Sequence, residues 1–139
     1  MSKVNPFDFD SQADYVNYLY HGKTRQFETG ATRDTDEGKF DYEGFLSPLV
    51  VERFGAYMHK HRHQSDGTLR DSDNWQRGIP LTAYIKSSWR HFLSWWKHHR
   101  GYPSEEIEDT LCAVIFNASG YLHEILRAKL EDGKEHKDS

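Results

Sequence analysis

Gly101-Tyr102-Pro103 separates two long stretches of helical periodicity, and this break constrains the fold more than any other feature. Before it, Ile85, Trp89, Phe92 and Trp96 recur at i, i+4, i+7 and i+11, one face of a helix expected from Thr82 to His98. Ser87, Arg90, His91, Ser94 and His98 fall on another face. After it, Ile107, Leu111, Val114, Ala118, Tyr121, Leu122 and Ile125 form a wide apolar face, expected to continue to about Lys129. Ser104 is placed to cap this second helix, and Glu105 and Glu106 in its first turn suit the helix dipole. Glycine followed by proline ends a helix, so the two stretches form a helical hairpin.

A third long helix begins at Ser47-Pro48, a cap followed by a residue suited to the first position, and ends near His61 or His63. Val50, Phe54, Tyr57 and Met58 are its core stripe. Ser11 can cap a shorter N-terminal helix within Asp10–Leu19. Gly22 and Gly30 bound a short strand or loop, and Thr32–Gly44 reads as a charged loop. Gln64–Pro80 is a long polar loop, of a kind more often functional than idle. The expected fold is all-α: a small bundle of three long helices plus a shorter N-terminal one.

The 139 residues suit one domain, expected over residues 1–130, with 131–139 as a polar flexible tail. A net charge of −4 argues against a module that coats DNA or RNA. The single cysteine, Cys112, excludes an intramolecular disulfide and a cysteine zinc cluster. No apolar run is long enough to span a membrane, and Met1–Pro6 lacks the apolar core of a signal peptide, so a soluble cytoplasmic protein is expected.

Glu105-Glu106-Ile107-Glu108-Asp109 is the richest constellation. Glu106 and Asp109 are three apart, Glu105 and Asp109 four apart, so their carboxylates are neighbours on a helix. Adjacent carboxylates suit Mg²⁺ or Mn²⁺; the plain alternative is an acidic first turn that answers the dipole. Arg90 offers a fork for phosphate and His91 a proton carrier, or both belong to a solvated face. Asn117, inside an apolar run, either orients a ligand or bonds another helix. Most of the tryptophans read as core, with Trp75 and Trp95 as the ones expected against a base. The His59–His63 run reads as a solvated helix end rather than a metal site.

No phosphate loop, dinucleotide fingerprint or nucleophile elbow is present. The order Asp34, Gly38-Lys39, Pro48, then Asn74-Trp75 and Gly78-Ile79-Pro80, then Arg90-His91 and Trp95-Trp96, then Asn117 resembles a phage family, the N-terminal domain of dATP/dGTP diphosphohydrolase. The resemblance spans about Arg33 to Leu126. It implies a small helical phage-encoded protein acting in the host cytoplasm on a purine deoxynucleoside triphosphate. The chain is also similar to the all-α MazG-like pyrophosphatases, whose paired carboxylates hold Mg²⁺. Glu106-Ile107-Glu108-Asp109 matches their second pair, and Glu52 is what the earlier helix offers for the first.

These resemblances imply Mg²⁺- or Mn²⁺-dependent hydrolysis to monophosphate and pyrophosphate. In that reading Glu105, Glu106, Asp109 and Glu52 hold metal, and Glu106 and His91 are catalytic. Arg33, Lys39 and Arg90 clamp phosphates, and Asn74, Trp75, Trp95 and Asn117 contact the nucleotide. A homodimer or homotetramer is implied, with neither nucleic acid nor membrane as partner. A second reading keeps the nucleotide and drops the chemistry: a sponge for a host nucleotide signal, or an accessory subunit. A third, an interaction module, has no feature of its own in the sequence.

Overall fold

The computed structural model describes residues 24–138, with side-chain burial given to residue 135. The expected helix within Asp10–Leu19 lies outside the described residues. The chain divides into two compact units, residues 1–47 and Pro48–Ser139.

The first unit contains a small antiparallel hairpin, β1 (Thr24–Gln26) and β2 (Thr32–Asp34), with Arg25 opposite Arg33. Its loop closes through the Phe27 amide on the Ala31 carbonyl, with Gly30 at φ 87°. A left-handed residue at this position is what lets a short loop turn the chain back. Every strand residue is exposed. The short helix α1 (Tyr42–Phe45) follows, its Gly44 amide donating 2.9 Å to the Asp41 carboxylate. The fold is therefore mainly helical rather than strictly all-α. The supposed loop at Thr32–Gly44 contains β2 and α1, which turn geometry and a cap create without any apolar pattern.

The second unit holds α2 (Pro48–Lys60), a one-turn 3₁₀ helix (Asn74–Arg77), α3 (Leu81–His99) and α4 (Ile107–Asp138). The α3–α4 hairpin is present, and α2 also packs on α4. Gly101 has φ 79°. Its amide donates to the His98 carbonyl and that of Tyr102 to Lys97, a left-handed cap that satisfies the last carbonyls of α3. The α4 start differs from expectation. Ser104 does not cap it; both Glu106 oxygens do, accepting from the Glu108 and Asp109 amides at 2.9 and 2.8 Å. The helix runs to Asp138, beyond the expected end near Lys129.

The core sits where α2 meets α4: Tyr57, Cys112 and Ala113 are buried, with Phe54, Met58 and Phe116 against them. Tyr84 of α3, only 1 % exposed, lies on α4 at Gly120. A methyl group at Gly120 would overlap the Tyr84 ring, so glycine is what allows this approach.

The tryptophan stripe is not core. Trp89 is 67 % and Trp96 52 % exposed, and Ile85, Phe92 and Leu93 are also open. Instead α3 turns Tyr84, Ser87, Ser88, His91 and Ser94 inward, a set at i, i+3, i+4, i+7 and i+10. Small side chains permit close approach to α4, and this decides the rotation of α3 over the larger apolar area on its other side. No helix among the described residues is long and apolar enough to cross a membrane.

Candidate functional site

Two clusters concentrate the polar side chains of the second unit. The first is the acidic start of α4. Arg53 of α2 donates from Nη2 to Asp109 Oδ1 at 2.7 Å and from Nε to Glu108 Oε1 at 2.9 Å, and its Nη2 lies 3.5 Å from Glu106. Lys60, two turns along the same helix, reaches Asp109 Oδ2 at 2.5 Å. Lys60 and Arg53 hold the Asp109 carboxyl below the usual carboxylate range. The Glu108 and Asp109 amides do the same for Glu106. Arg53, bonded to Asp109 and Glu108, is pushed above its ordinary value. Glu105 turns to α3, where its Oε2 is 3.2 Å from His91 Nδ1; it also accepts from the Thr110 hydroxyl of α4 at 3.4 Å.

Glu106 and Asp109 thus lie together as their spacing requires, but all four of their oxygens face protein donors. In this arrangement they do not fit a divalent ion, which needs free carboxylate oxygens. Among the described residues, no group of three or more His, Cys, Asp or Glu is gathered as a metal would require. Glu52 is exposed on α2.

The second cluster surrounds a cleft of about 440 Å³. Its walls are the second half of α2, the 62–80 segment and Phe116 of α4. Tyr57, Trp75 and Phe116 supply aromatic surface, and His59, His61, Arg62 and Arg70 supply basic groups. The long polar loop is ordered by its own bonds. Gly67, at φ 86°, turns the chain, and His63 bridges Leu69. The Asp66 carboxylate accepts from the Thr68 amide and hydroxyl at 3.0 and 2.6 Å. Arg62 and Arg70 are locked together, since the Arg62 Nε and the Arg70 amide each donate 2.8 Å to the other's carbonyl.

Asp71, the one acid in the lining among the described residues, is held 2.8 Å from Arg77. Among the described residues, neither Arg62 nor Arg70 has a carboxylate partner. Burial, and then Lys60, push His61 below its ordinary pKa. Trp75 is fixed from behind: its ring meets that of His123 edge-on at 4.7 Å. Arg127, paired with Glu124, donates 2.8 Å to the Gln76 carbonyl.

Of the expected nucleotide contacts, Asn74 and Trp75 line this cleft together. His91 sits instead with Glu105. Asn117 is buried, and its amide donates 2.7 Å to the Ala113 carbonyl one turn back in α4. Arg90 and Trp95 are exposed on α3, outside the lining. Arg33 lies on β2 and Lys39 follows it, both in the first unit. The sequence reading missed Arg53, Arg62 and Arg70. Arg53, Tyr57 and Lys60 share the inner face of α2, and Arg62 and Arg70 flank the Gly67 turn; those spacings were the available signal. The His59–His63 run is also more than a solvated end, since His59 and His61 line the cleft.

Comparison with protein-family models, curated proteins and solved structures finds no match to this chain.

Proposed function

We propose that this protein binds a nucleotide in the cleft beside α2, with phosphates on Arg62 and Arg70 and the base against Trp75. The observation that carries this is a cleft in which, among the described residues, two guanidinium groups have no carboxylate partner and the one lining acid is held by Arg77. Guanidinium forks match phosphate oxygens, and an indole face accepts any base. A volume of about 440 Å³ is in the range of small-molecule sites. A purine triphosphate, the ligand expected from the dATP/dGTP diphosphohydrolase resemblance, has the required combination of charge and ring.

The geometry supports binding over hydrolysis. Metal-dependent cleavage at Glu106 and Asp109 would require Arg53, Lys60 and two backbone amides to give up the carboxylates. Calorimetry with ATP, GTP, dATP and dGTP tests the reading, beside chromatography of the same mixtures with Mg²⁺ or Mn²⁺. Saturable binding weakened at least about tenfold by Arg70→Ala or Trp75→Ala, with intact nucleotide recovered, is the expected result. Absence of binding by all four would overturn it; release of pyrophosphate, abolished by Asp109→Asn, would restore the hydrolase.

A further inference from the structure

Helix α3 is amphipathic with its polar face inward. The stripe Ile85, Trp89, Phe92, Leu93 and Trp96 stays open over most of the helix, on a face between the inward row of Tyr84, Ser88 and His91 and the charged row of Lys86, Arg90 and Lys97. With large apolar side chains of about 150–250 Å² each, these exposures leave on the order of 600 Å² of apolar surface on one stripe. That is the top of the range of about 300–600 Å² for the largest patch on a soluble monomer. Two such stripes placed together would remove about 1,200 Å² from water, the lower bound for a specific stable interface.

We infer that the α3 stripe is the contact face for a second copy of this chain. A twofold pairing presents the same patch from both partners, so one continuous apolar stripe is self-complementary. Lys86, Arg90 and Lys97 lie along one flank of the stripe. There they form the polar rim of the interface and keep their charges in water. Trp89, near the middle, is the central anchor, the residue type and position that dominate interface energy. A lipid surface is the lesser fit. The chain carries −4 overall, which opposes an anionic bilayer.

Light scattering on the full chain across a concentration series tests this. The expected mass for the wild type is at least twice the 16.4 kDa of one chain. Trp89→Glu is expected to weaken association about 30-fold or more, the scale of a central interface residue. Trp89→Phe is expected to keep it. Helical circular dichroism should match across the three proteins, because Trp89 is 67 % exposed; Leu93→Glu serves if Trp89→Glu does not fold. Sedimentation with anionic vesicles runs beside the series. A wild type of 16.4 kDa at every concentration would overturn the inference. So would a dimer that both glutamate variants leave intact, or a monomer that sediments with vesicles.

Discussion

Asp109 shows how the meaning of a residue depends on what reaches it across space. In the sequence it belongs to an acidic run, and a run of acids admits either a metal or a helix dipole as its reason. The actual partners come from Arg53 and Lys60, 56 and 49 positions earlier. No local pattern announces that pairing, so the spacing of Glu106 and Asp109 was legible and their counter-ion was not. The pairing has a pH signature. Because the folded pKa of Asp109 is depressed, its contribution to stability is full above the unfolded value near 4. It is lost as pH falls through the lower folded value. Arg53→Gln is therefore expected to lower Tm by a few degrees between pH 5 and 7. The gap from wild type should shrink below about pH 4, as thermal scans at stepped pH would show. A gap that widens in acid would contradict the assignment of Arg53 as the partner of Asp109.

At the level of elements, punctuation was the reliable signal. Pro48 opens α2, and Gly101-Tyr102-Pro103 ends α3 in a left-handed cap, both as their chemistry requires. The hairpin at Thr24–Asp34 was not legible, because its strands are short and fully exposed and carry no alternating pattern. The 3₁₀ turn at Asn74–Arg77 lay hidden in the long polar loop, although its Asn74 and Trp75 were recognised individually. That turn depends on α4. Arg127 bonds the Gln76 carbonyl and His123 backs the Trp75 ring. Arg127→Met is accordingly expected to weaken nucleotide binding several-fold while helix content stays unchanged. Calorimetry paired with far-ultraviolet circular dichroism checks this. Equal affinity in the variant would mean that Trp75 needs no support from α4.

For the whole molecule, periodicity says that α3 has an apolar face but not what covers it. A single chain cannot reveal whether Trp89 and Trp96 meet its own helices or another molecule, and small serines on the opposite side settle the rotation. Charge is similarly uneven at this scale: an acidic chain contains a cleft whose two arginines have no acid partner among the described residues. Nucleotide affinity is therefore expected to fall several-fold between about 50 and 500 mM salt, as the Debye length shrinks. Titration at stepped ionic strength measures the slope, and a flat response would place the ligand away from Arg62 and Arg70. The length of α4 has a consequence of its own. Its 32 residues extend about 48 Å, yet among the described residues the last side chain bonded to another element is Arg127. The turns beyond it are exposed from 128 to 135 and, among the described residues, make no side-chain bond to another element, so they rest on helical backbone bonds that are marginal in water without packing. Amide protons there exchange on the clock of a local helix–coil equilibrium. Those around Ala113 and Asn117 wait for the unit as a whole to open.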